Sequence, residues 1–144
     1  MNSETIYSVI RGYLACAEWA DKPEGSNARF SAAARYRADD DCRAFIDACG
    51  SLADAAIESY GPERFGHDFW LTRNGHGAGF WDRNELKAPN PDPVPFVDRN
   101  GAPCLGTADT LGEALSIIAR GNRESFSMFD GCDLYASRGW MYFA

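Results

Sequence analysis

The sequence predicts an α+β fold, with N-terminal helices packed on a small antiparallel β-sheet in a single domain spanning 1–144. Three observations lead there. Apolar residues recur at helical period through the first 60 positions. From position 68 onward the pattern changes to short aromatic-rich runs separated by Asn-Gly and Asp-Gly turn dipeptides. A chain of 144 residues, 45 % hydrophobic and 13 % aromatic, can fill one core and is too apolar for a disordered acidic tail. The order α-α-β-β-α-β-β segregates helices from strands, which is the α+β pattern.

Residues 4–20 form the first helix, because Ile6, Val9, Ile10, Tyr13, Leu14 and Ala17 make one apolar stripe, with Ser3 as N-cap. Residues 21–27 are a loop by their turn-forming composition. A second helical block is predicted from Asp39 to Tyr60 on Cys42, Phe45, Ile46, Cys49, Ala53, Ala56, Ile57 and Tyr60, with a kink at Gly50 and a stop at Gly61-Pro62. In that reading Asp39, Asp40 and Asp41 occupy the first turn, where the helix dipole favours negative charge. Residues 68–73 and 79–82 then read as two strands of a hairpin around Asn74–Ala78. Residues 84–107 form a surface arm, since Pro89, Pro91, Pro93 and Pro95 alternate and favour an extended polyproline-like chain, with a small hairpin at Asn100-Gly101. Thr110-x-x-Glu113 is a capping box for a helix buried through Leu111, Ala114, Leu115 and Ile118 and ended by Gly121. Short strands at 126–129, 134–136 and 140–143 complete the chain.

Charge and cysteines bound the function classes. Residues 1–66 carry 7 basic and 11 acidic side chains and residues 67–144 carry 7 and 10, so the net charge of −7 is spread along the chain. That balance argues against direct nucleic-acid binding, which needs a surplus of Lys and Arg. It suits either simple solubility or a partner with a basic surface. No apolar run reaches the roughly 18 residues of a membrane span. The N-terminus lacks the basic-then-apolar layout of an export signal, so a cytoplasmic location is expected. Five cysteines without a C-x-x-C pair read as reduced thiols, mostly small buried hydrophobes.

The densest polar cluster is His67-Asp68, Arg73 to Gly77, and Asp82-Arg83. A general base His76, oriented by Asp82 or Asp68, with Arg73 holding an anion, would make a small hydrolase or transferase. Glycines for a turn, Arg–Asp cross-strand pairs and a capping His explain the same residues structurally. His67, His76, Asp68 and Asp82 match no familiar zinc spacing, so no metal and no cofactor is expected. Trp70, Phe80 and Trp81 could stack on bases, but an acidic chain makes them core residues.

The block Gly66-His67-Asp68-Phe69-Trp70-Leu71-Thr72-Arg73-Asn74-Gly75-His76-Gly77-Ala78-Gly79-Phe80-Trp81-Asp82-Arg83 resembles one found in small, uncharacterised proteins of bacteriophages and plasmids. Glu18-Trp19 before it, and the helix and tyrosine-containing strand after it, fit the same pattern, whereas the Pro-rich stretch at 88–103 departs from it. The resemblance implies a mobile-element protein made in a bacterial cytoplasm, and it brings no catalytic residue with it. Small acidic proteins of such elements resemble anti-CRISPR and anti-restriction inhibitors, which act by stoichiometric binding. The expectation is therefore an inhibitor of a host nucleic-acid-targeting defence system. Asp39, Asp40, Asp41, Asp47, Asp54 and Glu58 would meet a basic surface on a host protein or complex, with a few apolar anchors supplying affinity.

Overall fold

The computed structural model describes residues 1–121, 126, 127, 129 and 131–144. They form an α+β fold: helices α1 (Ser3–Asp21), α2 (Ala32–Cys49), α3 (Ser51–Tyr60), α4 (Pro62–Arg73) and α5 (Leu111–Arg120), with five short strands. β1 (Arg29–Phe30), β5 (Trp140–Phe143) and β4 (Leu134–Ser137) form one sheet in that order, and β2 (Val94–Val97) pairs with β3 (Pro103–Gly106) in a separate hairpin. β4 and β5 are antiparallel, but β1 runs parallel to β5, so the larger sheet is mixed.

Side-chain caps open α1, α2 and α5. Asn2, one residue before the predicted Ser3, caps α1 by accepting from the Thr5 N–H at 2.9 Å. Ser31 caps α2 by accepting from Ala34, so this helix begins seven residues earlier than its apolar stripe indicated. Asp39, Asp40 and Asp41 consequently lie in the middle of α2, not in its first turn, and the dipole explanation for them falls away. The kink at Gly50 is real: φ there is +54° and separates α2 from α3. Half of the predicted box forms: Thr110 Oγ1 accepts from the Glu113 N–H, but the Glu113 carboxylate reaches past the cap and accepts from the Asp109 N–H.

The predicted hairpin at 68–82 is replaced by a helix and a turn. Gly61 at φ +95° followed by Pro62 sets the first turn of α4, and Phe80–Asp82 is a 3-10 turn. α4 is the central helix, packed against α1, α3 and α5. Apolar and polar residues are therefore buried all round it, and the Phe-Trp-Leu run has no exposed face to reveal a helical period. Its contact with α1 is backbone to backbone: a Cβ on Gly12 would meet the Glu63 carbonyl, and one on Gly66 the Val9 carbonyl.

Around α4 the core is aromatic. Phe45 of α2 stacks on Phe69 with centroids 3.9 Å apart, and Phe65 and Phe80 close the cluster. Each such ring contributes about 1.5–3 kcal/mol by leaving water. The Pro-rich stretch is pinned rather than free-standing. Leu86 and Val94 at its ends are fully buried, and its middle pairs with the start of α5 through Asn90 to Asp109 and Leu111 to Ala88. The Asn100-Gly101 hairpin is present, its turn held by Asp98 Oδ1 accepting from Asn100 and Ala102. The strand expected at 126–129 falls partly outside the described residues; Phe126 makes bridges to Val97 and Gly121.

Candidate functional site

Asp68, on the buried side of α4, is the most enclosed carboxylate among the described residues, at 1 % exposure. Arg83 grips it with Nη2 at 2.6 Å from Oδ1 and Nε at 3.0 Å from Oδ2, and the Tyr60 hydroxyl donates to Oδ2 at 2.9 Å. These bonds raise the Arg83 pKa, while burial pushes the Tyr60 hydroxyl up, with Asp68 adding to it. A cleft of about 310 Å³ opens beside the pair, lined by Gly12, Ala15, Glu63, Arg64 and His67. The His67 imidazole lies against Trp19, and its pKa is below the usual value because burial penalises its charged form and Arg83 and Arg64 repel it; Asp68 opposes the shift.

The three candidate catalytic groups have different partners. Arg73 is buried between α1 and α2, where it donates to the Tyr13 hydroxyl at 2.9 Å and to Asp41 Oδ2 at 2.7 Å. Its guanidinium also lies over Phe69 at 5.4 Å. Burial lowers the Arg73 pKa, but Tyr13 and Asp41 more than offset this, so it stands above its ordinary value. His76 Nε2 lies 2.8 Å from Asp21 Oδ2, the oxygen that also accepts from the Trp70 indole at 2.6 Å. Asp21 therefore orients His76, in place of the predicted Asp82 or Asp68. Asp82 instead accepts from the Gly79 N–H at 3.1 Å and caps its own 3-10 turn. Each of the three groups is thus held by a different partner: Arg73 by Tyr13 and Asp41, His76 by Asp21, and Asp82 by the Gly79 N–H.

The acidic candidates divide in two. Asp39 pairs with Arg43 at 2.6 Å, and Asp41 is committed to Arg73 and Arg37. Asp40 and Asp47 on α2, and Asp54 and Glu58 on α3, are exposed and form no ion pair among the described residues. Tyr36, 73 % exposed, stands one turn before Asp40 and three turns before Asp47 on the same side of α2. Beside it a groove of about 430 Å³ runs between α1 and α2, walled by Tyr7, Ile10, Leu14 and Tyr36.

Of the aromatics considered for stacking, Trp70 and Phe80 are fully buried and only Trp81 is half exposed. Burial explains the cysteines as well: it pushes the Cys16 thiol up to about 12, with Asp68 and Asp21 adding, and raises those of Cys42 and Cys49 well above normal. All five are free thiols. Among the described residues no group of three or more His, Cys, Asp or Glu side chains is placed to hold a metal ion, and no helix is long and apolar enough to cross a membrane.

Sequence reasoning missed Asp21, Tyr13 and Tyr60, whose partners lie far along the chain or on another helix. It also missed Tyr36, whose four-residue spacing from Asp40 was a readable signal. Compared with known proteins, the chain matches no family model, no curated protein and no solved structure.

Proposed function

We propose that the protein acts by stoichiometric binding, presenting the exposed acidic and aromatic side of α2 and the acidic side of α3 to a basic surface. One observation carries this reading: Asp40, Asp47, Asp54 and Glu58 are exposed without ion partners among the described residues, with the open Tyr36 one turn from Asp40. Unpaired surface carboxylates accelerate encounter with a cationic partner and fix its register, while a tyrosine beside a groove supplies an anchor. The partner in this reading is a nucleic-acid-targeting defence protein or complex of a bacterial host, whose basic groove the acidic surface occupies. A phage or plasmid origin rests on the resemblance of the 66–83 block.

The test is capture of partners from bacterial lysate by the tagged protein, with salt washes, against the variant D40K/D47K/D54K/E58K. The wild type is expected to retain a nuclease-associated partner that elutes as salt rises. The variant, with the wild-type thermal midpoint, is expected to lose at least about tenfold in affinity. Equal retention by both proteins would overturn the acidic-surface reading.

A further inference from the structure

The larger sheet has an open edge. Among the described residues β4 has a strand neighbour on one side only, β5. Met141 of β5 turns its carbonyl toward β1, where it accepts from the Ser31 N–H at 3.0 Å. The N–H and C=O of one strand residue point to the same side, and the side alternates from residue to residue. Ala136, opposite Met141, therefore sits at a non-hydrogen-bonded position and turns both its backbone groups away from β5. Leu134, opposite Phe143, does the same. The bond from the Ala144 N–H to the Asp133 carbonyl fits this alternation, since Asp133 faces inward.

The edge thus offers two donors and two acceptors, on a strand where Tyr135, Ala136 and Ser137 are all exposed. β4 has no proline, charged residue or bulge, the devices that ordinarily blunt an edge. The β2–β3 hairpin shows the contrast. Val97 exchanges both its bonds with Phe126, so the opposite residue Pro103 faces outward on β3 with no N–H to offer, and Leu105 is left as the single outward donor of that strand.

We propose that β4 pairs with β4 of a second copy of this chain, antiparallel about a two-fold axis at Tyr135, joining two three-stranded sheets into one of six strands. The edge is self-complementary in this register. Leu134 meets Ala136 of the second copy, and Ala136 meets its Leu134, so all four outward donors and acceptors on each strand find partners. A shift of two residues would place Arg138, at φ +52° in the β4–β5 turn, or Cys132 opposite an edge residue and leave bonds unmade.

Side chains agree with the backbone. Tyr135 stacks on Tyr142 with centroids 5.4 Å apart, and across the axis it meets Tyr135 of the second copy at a position where side chains approach closely. Asp133 and Arg138 are exposed and form no ion pair among the described residues. Ser137 stands opposite Asp133 of the second copy, which brings Arg138 next to that carboxylate at both ends of the pairing. Charge complementarity therefore favours a second copy over a foreign strand. Two four-residue strands make a small interface, at the weak end of the range for specific association.

The test is sedimentation velocity on the full chain from about 1 μM to about 1 mM, together with amide exchange. A concentration-dependent dimer is expected, with exchange at Leu134 and Ala136 slowing as it forms and that at Tyr135 and Ser137 unchanged. Ala136→Pro removes only an outward N–H, so it is expected to stay monomeric with a wild-type circular dichroism spectrum. Asp133→Arg is expected to weaken the dimer at least tenfold, and D133R/R138D to restore it; this pair decides the matter if Ala136→Pro does not fold. A monomer throughout the range would overturn the proposal, as would a dimer indifferent to these variants. Protection of Leu134 and Ala136 only on adding another protein would assign the edge to a foreign strand and overturn it too.

Discussion

Asp68 and Arg83 are joined by a bidentate pair whose two ends are unequal. Asp68 is almost wholly enclosed, whereas the Arg83 side chain is 27 % exposed and can turn to water if released. Arg83→Met leaves a buried carboxylate with only Tyr60, and is expected to cost about 3–5 kcal/mol. Asp68→Asn keeps hydrogen-bonding atoms in place and is expected to cost clearly less, as urea titration of both variants can show. His67 adds a pH dependence. Its folded-state pKa lies below the ordinary 6.5, so between those two values the unfolded chain binds more protons. Stability should therefore fall as pH drops through about 6.5, and His67→Gln should flatten that slope in thermal midpoints taken from pH 7.5 to 5.5. Unchanged slopes would show that another group governs it. At this scale the sequence named the polar residues but not their partners. Trp70 and Asp21 are 49 positions apart, His76 and Asp21 are 55 apart, and Arg73 and Tyr13 are 60 apart. Such pairs exist only once α1 and α4 have docked.

The α1–α4 contact depends on two glycines, because a side chain at either would collide with carbonyl backbone of the other helix. Gly66→Ala is expected to force the helices apart and cost about 1–3 kcal/mol, the range for overpacking a close contact. A thermal melt that matched the wild type would show that the helices separate without cost. Elements with one solvated face were legible: α1, α5 and the final β-hairpin have periods or turn residues that declare them. α4 was not, because from Phe65 to Arg73 every residue but His67 is buried, so the helix has no polar stripe there and its aromatic run imitates a strand. The start of α2 was missed for a related reason. Its first two turns bury only Ala34 and Ala38, which are too small to mark a stripe.

Over the whole molecule, Arg73 and Arg83 are committed to Asp41 and Asp68, and four carboxylates with no ion pair among the described residues lie outward on α2 and α3. The net charge of −7 was plain from composition. Which carboxylates were available was not, since only the fold shows that Asp39 and Asp41 are paired and that Asp40, Asp47, Asp54 and Glu58 have no ion pair among the described residues. Action by occupancy implies a definite stoichiometry, whereas a catalyst acts at a small fraction of its target's concentration. The most direct measurement is therefore titration of the partner captured from lysate, its nuclease activity followed as the protein is added. Inhibition that saturates near one chain, or one dimer, per target is the result expected. Complete inhibition at a few hundredths of that amount, abolished by His76→Ala with the fold intact, would contradict it.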